Sequence, residues 1–236
     1  MAANWVRDLA AARRSLERLS TAERIAEILR GQITAGAVAP GERLAEEQIR
    51  TALGVSRNTL REAFRLLGHE RLLVHEFGRG VFVAMPTERD VRDLYRARRA
   101  LEIGALRECT PADATAELQD VAAAVHEGIQ ARDTGDWWTV GTANMHFHQR
   151  LVALARSSRI DETMAQLLAE MRLVFQVITT PRELHLPYLE QNQGIYELLA
   201  AGETAQAANR LHDYLVSAEQ QLLQEFHSRA TADAGE

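Results

Sequence analysis

Residues 53–56, Leu-Gly-Val-Ser, constrain the fold more than any other part of this chain. Before them, residues 45–53 carry Ile49 and Leu53 at helical spacing. After them, Leu60, Ala63, Phe64 and Leu67 form one apolar face of a helix running from Ser56 to about Gly68. Gly54 permits a tight turn, Val55 supplies an apolar plug for the angle between the helices, and Ser56 caps the second one. This is the pattern of two short helices held at an angle by a fixed turn.

The flanks extend the pattern. Ser20 or Thr21 caps a preceding helix to about Ala35, with Ile25, Ile28, Leu29 and Ile33 on one face. Gly36 and Pro40-Gly41 end it, and Leu44 opens the next element. Leu72–His75 and Gly80–Ala84 read as short strands, turned by Phe77-Gly78-Arg79-Gly80. Three helices and a two-stranded turn make a winged helix-turn-helix over 20–85. In that geometry the first turn of the third helix enters the major groove of DNA. Arg57, Asn58 and Thr59 occupy this turn and Arg61 follows one turn on. Arginine binds guanine bidentately, asparagine reads adenine, and threonine holds a phosphate or a methyl group. The free amides behind Ser56 favour a phosphate. Gly78 and Gly80 let the backbone around Arg79 approach the duplex, and Arg43 supplies a backbone contact. The predicted DNA-binding set is therefore Arg43, Ser56, Arg57, Asn58, Thr59, Arg61, Gly78 and Arg79. Each arginine taken singly reads equally well as solvated surface; the joint spacing is what points to nucleic acid.

Pro86 marks a boundary, and only long helices follow. Thr87 with Asp90 predicts a capping box for a helix to about Cys109. Further helices are expected from Thr110-Pro111 to about Arg132, from Gly135-Asp136 to about Arg156, and from Arg159 to Thr179. Pro181 and Pro187 interrupt the chain, so a fifth is expected over 187–201, and a sixth over 203–227. Six helices with short connections predict an antiparallel bundle over 86–228, with 229–236 a flexible tail. The fold class is thus mainly α, a winged helix-turn-helix plus a helical effector-binding and dimerisation domain. Residues 1–19 hold a separate amphipathic helix (5–19), which packs on its own domain or makes a dimer contact.

Charge supports a divided chain. Residues 1–85 carry 13 arginines against 10 acidic residues, and 86–236 carry 14 against 23, within a net charge of -6. A mildly basic first third suits a polyanion and an acidic remainder does not. A single cysteine, Cys109, excludes an internal disulfide framework and a multi-cysteine zinc site. No apolar run approaches the ~18 residues of a membrane span, and the N-terminus lacks a signal-peptide core. A cytoplasmic, nucleoid-associated protein without membrane contact is expected.

The run Pro40-Gly41…Leu44…Leu53-Gly54-Val55-Ser56-Arg57…Leu60-Arg61-Glu62-Ala63…Leu67 resembles the GntR family of bacterial transcription regulators. It departs from the family at Asn58-Thr59, where many relatives have Thr-Pro or Thr-Thr. Leu94–Glu102, Phe147–Leu151 and Ile195…Ala201-Gly202-Glu203…Ala207…Tyr214-Leu215 resemble the FCD domain of the branch typified by fatty-acid-responsive regulators. The resemblance implies a homodimeric regulator that binds a double-stranded DNA operator, acts as a repressor, and senses a small-molecule effector such as a carboxylate. In metal-binding members of the branch, an aspartate, a histidine four residues on and two more histidines hold a divalent ion. The matching positions here are Asn144, His148, Asn192 and Tyr214. Two amides, one imidazole and a phenol of intrinsic pKa near ~10 are poor ligands for such an ion. No tightly bound metal and no other cofactor is therefore expected. With Arg98, which could meet a ligand carboxylate or bridge to Glu102, these residues form the predicted effector pocket. A ligand-independent DNA binder and an enzyme with a DNA-binding appendage stay open as alternatives. The second has no nucleophile elbow, P-loop or clustered carboxylates behind it.

Overall fold

A computed structural model describes residues 21–109, 111–178 and 181–233. The 5–19 helix, the Ser20 and Thr110 caps and the end of the tail lie outside the described residues. The chain divides into two compact units, one ending at Met85 and the other beginning at Pro86.

The first unit opens with α1 (21–34), whose Ala22, Ile25, Ala26, Leu29 and Ile33 are buried. Ile28, expected on this face, is instead 51% exposed. At ~100° per residue it lies roughly 120° round the helix from the stripe centred on Ala22 and Leu29. α2 (Glu46–Leu53) ends at Gly54, which adopts left-handed φ 64°. α3 (Arg57–His69) follows, its Leu60, Ala63, Phe64 and Leu67 buried as expected. Arg30 of α1 makes a two-pronged bond to Glu70, just past the end of α3, at 2.6 and 2.7 Å. β1 (Leu73–Glu76) and β2 (Gly80–Val83) pair antiparallel, Leu73 opposite Val83 and Glu76 opposite Gly80. Residues 41–44 add a third rung that the sequence does not announce. Gly41 and Leu44 donate to Val83 and Val81, and Val83 donates back to Glu42. The wing is thereby tied to the segment that enters α2.

The second unit is a six-helix bundle: α4 (Glu88–Glu108), α5 (Pro111–Thr134), α6 (Trp137–Ala153), α7 (Ser158–Gln176), α8 (Pro181–Ala200) and α9 (Thr204–Asp233). The Thr87/Asp90 capping box forms at the start of α4, and Asp136 caps α6 through the Thr139 amide. Its core includes Leu94, Leu106, Phe147, Leu151, Ile195, Leu199, Leu211 and Leu222.

The start of α8 differs from the sequence expectation. The helix begins at Pro181 and runs through Pro187. Proline has no N–H for the carbonyl four residues back. Here that carbonyl, of Glu183, accepts instead from the Gln221 side chain of α9 at 3.0 Å, while Gln221 Oε1 accepts from the Tyr188 hydroxyl. The buried positions Leu184, His185, Tyr188 and Leu189 then continue across the proline on one face. α9 runs six residues past its expected end, to Asp233, because Ser228–Asp233 contains no glycine or proline to stop it. Among the described residues no helix is long and apolar enough to cross a membrane.

Candidate functional site

In the first unit the predicted residues gather at the N-terminal end of α3 and on the wing. Ser56 accepts the Thr59 N–H at 3.1 Å, so α3 starts where the sequence indicates. Arg57, Asn58 and Arg61 are exposed around this end. Thr59 is half-buried, its hydroxyl 2.7 Å from Ser56 Oγ. Glu46, Glu47, Arg50, Arg57, Leu60 and Arg61 line a groove between α2 and α3. A second groove, lined by Arg43, Leu44, Glu46, Glu47 and Gly80 among others, continues it to the base of the wing. Arg43 lies against Gly80, where a Cβ would come within 3.1 Å of its Nε. At the wing, Gly78 takes φ 73°, Arg79 pairs with Glu76 and leans over the Phe82 ring, and Phe77 is fully exposed. Two acidic residues of this face, Glu47 and Glu76, are engaged by arginines. Glu47 bonds Arg50, which holds its carboxyl below the usual range, and also lies 4.0 Å from Arg57 Nη2.

In the second unit the five predicted pocket residues do converge. Arg98, Asn144, His148, Asn192 and Tyr214 are all buried. They come from α4, α6, α8 and α9. Arg98 Nε donates to Glu102 Oε1 at 2.7 Å, and the other Glu102 oxygen lies 2.6 Å from His148 Nδ1. Of the two sequence readings of Arg98, the structure forms the Glu102 bridge. The Tyr214 hydroxyl lies 3.1 Å from His148 Nε2 and 2.9 Å from Asn144 Oδ1, and Asn192 Nδ2 donates to Asn144 Oδ1 at 2.8 Å. Arg98 Nη2 and Asn192 Oδ1 are buried with no hydrogen-bond partner.

Burial pushes the Glu102 carboxyl up, but Arg98 and His148 beside it hold it net below its ordinary value. Burial also lowers His148, outweighing the pull of Glu102. Burial keeps Tyr214 protonated, well above pH 10. A neutral His148 that donates to Glu102 must accept from Tyr214 at its other nitrogen. The single hydroxyl proton cannot then also serve Asn144, so the network has two proton arrangements that differ in the charge on His148.

These donors do not fit a divalent metal. The phenol keeps its proton, Asn144 Oδ1 is already engaged, and His148 Nε2 faces the Tyr214 hydroxyl. Among the described residues no group of three or more His, Cys, Asp or Glu side chains is placed to hold a metal ion. His146 and His212, each two residues along its helix from His148 or Tyr214, are exposed on the outside of α6 and α9. Sequence reasoning missed the contact between Glu102 and His148, which lie 46 positions apart. It also missed two buried polar residues, Arg172 and His185.

A capped helix presented by a glycine turn beside a glycine-flanked arginine, with a helical bundle in the same chain, defines a DNA-binding transcription regulator. Residues 21–83 match the model of the bacterial regulatory proteins of the gntR family, and residues 93–217 match the FCD domain. A putative GntR transcriptional regulator from Rhodococcus sp. RHA1 has a solved structure that is 45% identical in sequence. It superposes with a TM-score of 0.81 over 87% of this chain and 98% of that one. The HTH-type transcriptional regulator YdhC of Bacillus subtilis is 30% identical over 139 residues, 56% of this chain; the match spans 59% of the relative's length. A gluconate operon transcriptional repressor of Bacillus licheniformis is 32% identical over 87 residues, 37% of this chain and 35% of its own. The chain belongs to the GntR family and carries an FCD domain. Both matched families are regulatory, which leaves the enzyme reading without support.

Proposed function

We propose that the protein is a homodimeric repressor whose two winged units each read half of a palindromic operator, released or retained by a small effector in the bundle. The observation that carries the DNA part is the exposed first turn of α3 behind its Ser56 cap, with the Arg57 side chain 69% exposed. In this reading Arg57, Asn58 and Arg61 meet base edges or phosphates in the major groove. Arg43, Ser56 and Thr59 hold the backbone, and Gly78-Arg79 follows it from the wing. The repressor sign is supported by the similarity to the gluconate operon repressor. The test is binding to the DNA upstream of the protein's own gene against random DNA, across a salt series. A preference that disappears in the Arg57→Ala, Arg61→Ala double variant supports the assignment. Equal affinity for both DNAs refutes it. Light scattering of the purified protein tests the dimer, and a reporter fused to the operator tests repression.

The effector part rests on Arg98 Nη2 and Asn192 Oδ1, a donor and an acceptor left unmatched in an otherwise satisfied buried network. Such a pair suits a small polar ligand with both kinds of group. The closure of the rest of the network favours a second reading, in which it is purely structural and DNA binding is ligand-independent. A metabolite panel followed by melting temperature separates the two, because a ligand of the native state raises it.

A further inference from the structure

Where α6, α7 and α8 meet, two to three residues before Asn144 along α6, the second unit buries a positive charge with nothing negative beside it among the described residues. Arg172 of α7 is 5% exposed. One guanidinium nitrogen, Nη2, donates to Thr142 Oγ1, whose own proton goes to the Trp138 carbonyl at 3.1 Å. Its Nε is buried without a partner. Among the described residues no carboxylate pairs with it, although residues 86–236 carry 23 acidic side chains. The charged or titratable neighbour that does bear on it is another base, His185 of α8. His185 is also buried, stacks edge-on against Phe175 at 4.9 Å, and makes no hydrogen bond among the described residues. Gly141 makes room for its ring, since a Cβ there would come within 2.7 Å of Nε2.

An unpaired buried charge costs several kcal/mol in general, so side chains of this kind are kept where an anion compensates them. The Trp138 ring lies 4.5 Å from the guanidinium carbon. An aromatic face on a guanidinium leaves the in-plane N–H groups as its recognition edge. That edge matches the two oxygens of a carboxylate, and one cation beside a neutral imidazole matches a single negative charge.

We propose that Arg172, with His185 and Thr142, forms a binding site for a small carboxylate anion between α6, α7 and α8, distinct from the Arg98 network. Trp138 covers the site on its solvent side, where the residue is 46% exposed, and reports its occupancy.

The test uses the full chain, with sodium acetate, succinate and citrate titrated against sodium chloride and sodium phosphate at matched ionic strength. Melting temperature and tryptophan fluorescence are read together. The proposal expects a saturable rise of several degrees with a carboxylate, absent with chloride. It also expects a parallel fluorescence change that Trp138→Phe removes. Arg172→Met should weaken the response at least about tenfold, the scale of a lost charge-assisted hydrogen bond. Without added anion that variant should melt no lower than the parent, because it deletes an unpaired charge rather than a pair. If Arg172→Met fails to fold, Arg172→Lys, which keeps the charge and loses the planar edge, should give a weakened response. Asn192→Ala, at the other site, should respond like the parent, so failure of the effector reading leaves this result intact. A parent protein that answers to no carboxylate, or a response unchanged in Arg172→Met and Arg172→Lys, overturns the proposal. A response to phosphate alone overturns the assignment of the anion.

Discussion

Arg98 and Glu102 are bonded across one turn of α4 with both side chains closed off from solvent, 2% and 0% exposed. Isolated on a surface, an i, i+4 pair of this kind contributes a few tenths of a kcal/mol. Inside the bundle its value lies in the cost of breaking it.

Replacing Glu102 by Gln removes the charge that Arg98 and His148 share. It should destabilise the second unit by about 3–5 kcal/mol, because the guanidinium is left buried and uncompensated. The double replacement Arg98→Met, Glu102→Gln should recover much of that loss. Urea titrations of the two variants and the parent check both expectations.

The pH dependence follows from His185 and its neighbour. Burial, helped by Arg172, lowers the imidazole from its ordinary value to about 4. An unfolded chain accepts a proton near pH 6.5 that the folded chain refuses until about pH 4. Stability is thus unaffected by this group above pH 6.5 and falls as the pH drops through that window, by roughly 3 kcal/mol in total. His148 is shifted in the same direction and adds to the fall. His185→Phe should flatten the His185 share and leave the rest, as measured by chemical unfolding at a series of pH values.

Glu47 lies in the groove lined by Arg50, Arg57 and Arg61, bonded to Arg50 and 4.0 Å from Arg57 Nη2. A negative charge here opposes an incoming phosphate and holds Arg57 back from it. Glu47→Gln should tighten DNA binding severalfold at low salt, with the gain shrinking as salt rises. Fluorescence anisotropy with labelled operator at several salt concentrations measures it.

Ser56 performs two tasks through one oxygen: it caps α3 and holds the Thr59 hydroxyl at 2.7 Å. Ser56→Ala should cost about 1 kcal/mol of stability. It should also loosen the first turn, so operator affinity falls while the melting curve stays cooperative. Calorimetry and anisotropy on the same sample separate the two effects.

The parts of the molecule legible in its sequence are those whose causes are local. Gly54 and Ser56 mark a turn and a cap within three residues, and Thr87 with Asp90 closes a capping box within the same span. The convergence of Asn144, His148, Asn192 and Tyr214 was legible only through family resemblance, since nothing in the spacing says which helices face each other. Where the cause is distant, the sequence is silent. Pro187 reads as a helix break because the side chain that compensates for it, Gln221, lies 34 positions later. Nothing in the local sequence around Arg172 and His185 marks them as buried, and only the packing of α6 against α7 and α8 puts them inside. Ile28 fails in the opposite sense, apolar by type but lying beyond the edge of a stripe that Ala22 and Ala26 complete.

The bond from Gln221 to the Glu183 carbonyl has a mechanical consequence. Where most helices are stitched to themselves, the opening turn of α8 borrows a stitch from α9, and the same Gln221 also clasps Tyr188 on the far side of the proline. A displacement of α9 along its axis would therefore tug the leading end of α8 directly, just as it tugs the trailing end through the short link at 201–203. The two helices share a hinge pin at this point, and Pro187 is the reason it is there.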